Sequence, residues 1–224
     1  MSGRGGVVNE TWDGFILPEC QSNPLILRLD AALTWEEAQE PLHRDIDVTK
    51  TCGIGPGMAF SNLILEKDLG IGVIGLVPCA IGGTNISEWR RGGRLYNQVL
   101  SRAQAALHGG GGLIRAILWY QGESDTIKLE DAKLYKRRLE KFLQLKFDPI
   151  CCHLSYLSSR KSQMEIDVPN VRCVDAKGLQ LQPDGLHLST AAQLELGRMM
   201  ADAFLQIMAP LSVRSSAPKR SNNP

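Results

Sequence analysis

The sequence predicts an α/β domain in which helices cover both faces of a doubly wound parallel sheet. Three observations predict it. Ile71–Val77 and Leu113–Tyr120 are unbroken apolar runs of strand length, the pattern of strands buried on both faces. Stretches of helical spacing alternate with them along the chain. Gly and polar residues follow each run directly, at the strand C-termini where open α/β sheets place their ligands.

The elements follow in order. Met1–Gly6 is a glycine-rich loop with no strand ahead of it. Trp12–Pro24 is irregular, with Pro18 and Pro24 as breakers, and Leu25–Leu29 is a short extended run. Trp35–Ala38 leads through Pro41 and Leu42 to His43, read as a solvated loop residue, and to a polar loop, Arg44–Lys50. Gly53–Gly57 then opens a helix over Met58–Lys67. Its glycines do not form a phosphate loop, because no Lys-Ser/Thr follows and Pro56 lacks an N–H.

Ile71–Val77 ends in Pro78–Thr84, where Gly82-Gly83 is either a plain tight turn or a pair of backbone N–H groups aimed at a ligand. Helical spacing runs from Ser87 to Leu107 and stops at the flexible loop His108–Gly112. Leu113–Tyr120 enters Gln121-Gly122-Glu123-Ser124-Asp125, polar side chains that are costly at a strand end unless paired or used. Asp131–Leu145 is an amphipathic helix, Pro169–Ala176 a last strand and Ala191–Met208 a long helix. Residues 1–209 thus form one domain, and 210–224, rich in Ser, Pro and basic residues, a disordered tail.

Composition narrows the function. A chain of 224 residues with 43% apolar and 22% charged residues is an ordinary globular domain. A net charge of +1 gives no reason to expect nucleic acid or an acidic membrane as partner. No apolar run approaches the roughly 18 residues of a membrane span, and the first residues do not form a signal peptide. Six cysteines in this length are not a disulfide scaffold, and no metal-binding spacing occurs; Cys151-Cys152 is only a vicinal pair. The reading is an intracellular, cytoplasmic chain with reduced thiols, no metal and no cofactor.

Asp184-Gly185-Leu186-His187 carries the chemistry. An Asp three residues before a His can fold back and accept the imidazole Nδ1–H, leaving Nε2 as a general base. The alternative is a surface Asp and an unrelated His at a helix N-terminus. Three clusters converge on one sheet edge in this reading: Gly82-Gly83, Gln121–Asp125 and Asp184-x-x-His187.

Val77-Pro78-Cys79-Ala80-x-Gly82-Gly83-Thr84, Trp119-Tyr120-Gln121-Gly122-Glu123-Ser124-Asp125 and Asp175–Leu179 with Asp184-x-Leu186-His187 closely resemble the plant carbohydrate esterases. Those are sialate O-acetylesterase-like members of the SGNH hydrolase superfamily, and the resemblance runs from Met1 to about Leu205. It implies a flavodoxin-like three-layer α/β/α fold, an acylated carbohydrate as substrate and a serine-type esterase. It makes His187 the base, Asp184 its orienter, and Gly82 or Gly83 an oxyanion N–H. Gln121 becomes a carboxamide donor, since an amide N–H can serve an oxyanion and an ionised carboxylate cannot. Gly122, Glu123 and Asp125 are left as structural loop residues.

Two departures matter. The family's nucleophilic Ser lies in a Gly-Gln-Ser-Asn block at the end of the first strand, directly ahead of the Met at which this chain begins. Strand and nucleophile are therefore expected to be missing. Gln21-Ser22-Asn23 is a decoy with no apolar strand before it, and Ser124 belongs to the Gln121–Asp125 motif. The second departure is Pro149–Met164, which is shorter than the family's counterpart and unlike it. In the flavodoxin-like strand order the first strand lies between the second and third, so its absence is expected to leave those two unpaired and the chain unstable and inactive. A truncated, non-catalytic relic or isoform, at most binding carbohydrate, is the alternative function.

Overall fold

The structure is a computed structural model, and it describes residues 2–109, 112–144, 153–154, 168–169 and 171–215. Strands β1 (Val7–Val8) and β2 (Thr11–Trp12) form a small antiparallel hairpin. β3 (Ile26–Leu29) pairs antiparallel with β4 (Trp35–Glu37) and parallel with β5 (Ile74–Leu76). β6 (Ile117–Leu118) pairs parallel with β7 (His153–Leu154). The helices are α1 (Gly57–Lys67), α2 (Arg94–Leu107), α3 (Leu129–Leu143) and α4 (Thr190–Ser215).

The expected alternation of strands and helices, with parallel pairing, is present. β6 shows the layering through its period of two. Ala116, Leu118 and Tyr120 pack with Phe60 and Ile64 of α1 and Phe204 of α4. Ile117 and Trp119 pack with Leu95 of α2 and Leu139 and Phe142 of α3. Aromatic rings lock both sides edge to face: Phe60–Phe204 at 5.7 Å, and Trp89–Trp119 at 5.1 Å.

Several sequence expectations are corrected. The run Ile71–Val77 is a strand only over Ile74–Leu76, and Leu113–Tyr120 only over Ile117–Leu118, while Val73 and Leu113 are exposed. Residues 171–176, within the expected last strand, form no strand. Trp35–Glu37, not foreseen as a strand, pairs with β3 because Asp30–Thr34 closes a tight turn. Helix α4 continues to Ser215, into the stretch read as a tail; residues 216–224 lie outside the described residues, as does Pro149–Met164 apart from β7.

The largest correction concerns pairing. Ile26, Leu27 and Arg28 lie opposite Ile74, Gly75 and Leu76, so β3 and β5 leave no vacant position between them. Arg102 of α2 clamps this junction. Its buried guanidinium donates to the carbonyls of Leu29 and Asp30 at the end of β3 and of Pro78 after β5, at 2.6, 2.9 and 2.8 Å. The discontinuity falls one strand further on. Among the described residues no backbone hydrogen bond joins β5 to β6, and both line a cavity of about 970 Å³. His43, expected to be solvated, lines this cavity too, and desolvation pushes its imidazole down to about 3.

Candidate active site

The loop carrying Asp184 and His187 is a tight excursion tied at its base. Leu181 bridges Leu188 antiparallel, and Ser189 N–H donates to the Gln180 carbonyl at 2.9 Å. Within it Asp184 is fixed three ways. Oδ1 accepts the N–H groups of Leu186 and His187 at 2.9 and 3.0 Å, and Oδ2 lies 2.6 Å from His187 Nδ1. Gly185 holds the turn with φ +67°, a conformation that a side chain would strain. Burial alone would raise the Asp184 carboxyl. The His187 hydrogen bond and the two N–H groups outweigh it and hold the group down at about 2. An ionised Asp184 places the proton on Nδ1, and Nε2 of His187 makes no hydrogen bond among the described residues. Both side chains stay partly open to solvent, His187 at 35% and Asp184 at 43%.

The N-terminal block seats this loop. The Arg4 carbonyl accepts a hydrogen bond from Gln182 Nε2, and the Gln182 N–H donates to the His187 carbonyl. Gly5 exchanges two backbone hydrogen bonds with Ile54 at 3.0 and 2.9 Å. This approach needs glycine: a Cβ on Gly53 would stand 2.2 Å from the Gly5 carbonyl oxygen. The glycines that look featureless in the sequence therefore bring the chain start against the His187 loop.

Gly82 lies on the same edge, but its N–H is engaged. It donates at 2.8 Å to Oδ2 of Asp47, a residue buried to 1% exposure in the loop that reads as merely polar. Ser2 is also buried here, its Oγ 3.4 Å from where a Gly82 side chain would begin. Gly83 adopts φ +75° beside it. Asp47 and Ser2 escape the sequence reading because neither sits in a recognisable motif and both partners are distant in sequence.

Gln121 is buried, and its amide nitrogen donates to the Thr84 carbonyl at 2.9 Å and to Asp125 Oδ2 at 2.6 Å. Both amide hydrogens are thereby used, so in this conformation Gln121 holds its own loop. The structural carboxylate is Asp125, fully buried, which also accepts the Ile86 N–H at 2.9 Å. Glu123 starts the turn that follows. The 3-10 turn Glu123–Thr126 carries Asp125 inward and leaves Glu123 in the electrostatic reach of His187, with burial pushing its carboxyl upward. Gly122 begins that turn with φ 147°.

Other nucleophile candidates lie elsewhere or are inert. Gln21-Ser22-Asn23 sits ahead of the N-terminal end of β3. Burial pushes the thiols of Cys20 and Cys52 up to about 12 and about 11, and Cys79 upward as well, so none is a thiolate at neutral pH. Among the described residues no cluster of His, Cys, Asp and Glu could hold a metal ion, and no helix is long and apolar enough to cross a membrane.

Gln121 thus ties the Gln121–Asp125 segment to the Gly82–Thr84 turn through the Thr84 carbonyl, and Gln182 ties the His187 loop to Arg4 at the chain start. The family described as "Carbohydrate esterase, sialic acid-specific acetylesterase" matches residues 1–148 and 151–206. The chain belongs to that carbohydrate esterase family. It is similar to the Arabidopsis thaliana protein named "Probable carbohydrate esterase At4g34215", with 46% identity over 227 residues covering 92% of this chain and 86% of that one. The X-ray structure of Arabidopsis thaliana AT4G34215 superposes with a TM-score of 0.85 at 45% identity, covering 92% of this chain and 93% of that chain. The scaffold of this carbohydrate esterase family member is therefore a mixed α/β fold shared with that plant protein.

Proposed function

We propose that the protein is the body of an acyl-carbohydrate esterase, removing acetyl groups from sugars by a Ser-His-Asp mechanism with the Ser in a strand ahead of Met1. The observation that carries this reading is the 2.6 Å contact between Asp184 Oδ2 and His187 Nδ1 with Nε2 left open. Nε2 takes the Ser proton as the hydroxyl attacks the acyl carbon, and gives it to the sugar oxygen as the tetrahedral intermediate collapses. A water then repeats the cycle on the acyl-enzyme. Asp184 stabilises the imidazolium throughout. The layered helices and parallel pairs support a flavodoxin-like α/β/α scaffold, with the site at the strand C-termini. The substrate is an acylated carbohydrate, and the reading needs no nucleic acid, membrane, metal or cofactor.

A second reading has one observation in its favour. The Gly82 N–H is held by Asp47, and both Gln121 amide hydrogens are held by Thr84 and Asp125, so two of the expected oxyanion donors are occupied. A chain resting in this state is a non-catalytic relic or isoform. The two readings part on the 224 residues preceded by an apolar strand ending Gly-Gln-Ser-Asn, incubated with an O-acetylated sugar. The esterase reading expects acetate release and an acetyl group trapped on that Ser; the relic reading expects neither.

A further inference from the structure

The turn Arg90–Arg94 carries three arginines in five residues, and all three are exposed. Arg4, Arg28, Arg44, Arg138 and Arg198 each sit on a carboxylate. Among the described residues Arg90, Arg91 and Arg94 have no carboxylate within ion-pair distance, and Arg91 Nε meets only the Tyr96 hydroxyl, at 3.4 Å. Glu88, the acid nearest in sequence, accepts the Asn85 N–H at 2.8 Å. The backbone of the turn is fixed. The Gly93 N–H donates to the Arg90 carbonyl at 2.8 Å, Asn97 Nδ2 donates to the Gly92 carbonyl at 3.2 Å, and Gly92 takes φ +76°.

This turn is joined to Gly82-Gly83. Trp89, 3% exposed, donates its Nε1–H to Thr84 Oγ1 at 3.0 Å, so Arg90 begins where the Gly82–Thr84 turn is anchored. Lys50 approaches the same turn from the loop before α1. Its Cγ lies 3.6 Å from where a Gly82 side chain would begin. Lys50 is exposed and also lacks a carboxylate partner among the described residues. Gly83 itself is exposed, with nothing within 4 Å of the side chain it lacks.

Four cations thus border an open turn, in a chain whose net charge is only +1. A local field of one sign draws in ligands of the other. Guanidinium forks match carboxylates two hydrogen bonds at a time. One carboxylate would occupy one arginine, whereas three arginines in one turn with a lysine beside them fit carboxylates repeated along a ligand. Nucleic acid repeats its charge too, but single strands are held by bases stacked on aromatic rings, and Trp89 and Tyr96 of this region are buried. We infer that the Arg90–Arg94 turn and Lys50 form a subsite for a polyuronate, which makes the substrate class an O-acetylated acidic glycan. The substrate class rests on the esterase reading of Gly82-Gly83; the binding of the polyuronate does not.

The test uses hexagalacturonate as the ligand. Xylohexaose is the neutral control, free sialic acid the single-carboxylate control and an oligouridylate the nucleic-acid control. Binding is measured by calorimetry on the 224 residues alone and on the chain carrying the upstream Gly-Gln-Ser-Asn strand. Hexagalacturonate is expected to bind, and to bind at least tenfold more weakly when salt rises from about 20 to about 200 mM, because screening shortens the reach of exposed charges. The triple change Arg90→Ala, Arg91→Ala, Arg94→Ala is expected to weaken it by tenfold or more, and Lys50→Ala by less. All three controls are expected to bind at least tenfold more weakly than hexagalacturonate. In turnover the triple variant is expected to lower the ratio of kcat/KM for acetylated polygalacturonate to that for acetylated xylan by tenfold or more, whereas a loss of fold lowers both together. Binding as expected with no acetate released from either polymer would sink the esterase reading and leave the subsite standing. Acetate release without hexagalacturonate binding, equal binding of any control, or parent-like affinity in the triple variant would overturn the subsite and leave the esterase reading standing.

Discussion

Gln121 Nε2 donates to Asp125 Oδ2 at 2.6 Å in the interior of the molecule. Asp125 also accepts the Ile86 N–H, so one carboxylate holds the end of β6 to the 3-10 turn at Ile86–Trp89. Asp125→Ala leaves two buried donors unsatisfied and is expected to cost about 2–4 kcal/mol. Glu123→Gln, half-buried at the start of the same turn, is expected to cost less than about 1 kcal/mol. Urea denaturation of the two variants checks the order; a larger loss for Glu123→Gln would return the structural role to that residue.

Arg102 makes a stronger case. Its three hydrogen bonds go to main-chain carbonyls at the ends of β3 and β5, and among the described residues no carboxylate pairs with it. Arg102→Leu is expected to destabilise by about 3 kcal/mol or more, because three buried acceptors lose a charged donor. Arg102→Lys recovers little, since an ammonium lacks the planar fork. A melt within a degree of the parent for either variant would count against the clamp.

Glu40 gives stability a pH dependence. Burial pushes its carboxyl up to about 8, against the N–H groups of Leu42 and Gly55 that it accepts. Its ordinary value is about 4.3. Between these values the folded state holds a proton that the unfolded state has lost, so stability falls as pH rises from about 4.3 to about 8. Melting temperatures across that range check the sign, and Glu40→Gln is expected to remove most of this part of the slope.

Asp184 acts in the opposite sense. Held at about 2, it contributes stability that is complete above the ordinary carboxylate value near 3.9 and is lost as pH falls toward 2. Its exposure keeps the effect on global stability small. The readout is local: the His187 Nδ1 proton, followed by NMR, is expected to remain hydrogen-bonded above about pH 4 and to be released below about pH 2. Asp184→Asn is expected to remove that dependence.

What could be read in the sequence was short-range. Asp184 and His187 lie three apart, and one turn suffices to join them. The helices α2 and α3 were visible through apolar spacing, because each has a single buried side. Pairings over long separations were not visible. Nothing near Gly82 announces Asp47, 35 residues earlier, or near Thr84 announces Gln121, 37 residues later. The apolar runs Ile71–Val77 and Leu113–Tyr120 overstated their strands, since a strand extends only as far as its neighbours pair with it, and one edge of each faces the cavity. Glu123 and Asp125 could not be told apart, because both are acidic and the 3-10 turn decides which points inward.

The most direct test of the account is the turnover of an O-acetylated sugar by the chain carrying an upstream Gly-Gln-Ser-Asn strand, compared with its His187→Ala variant and with the 224 residues alone. The account expects turnover in the first and a fall of about 10⁴-fold or more in the variant, the scale on which a triad loses its base. It expects none from the 224 residues alone. Near-parent hydrolysis by His187→Ala, or His187-dependent hydrolysis by the 224 residues alone, would contradict it.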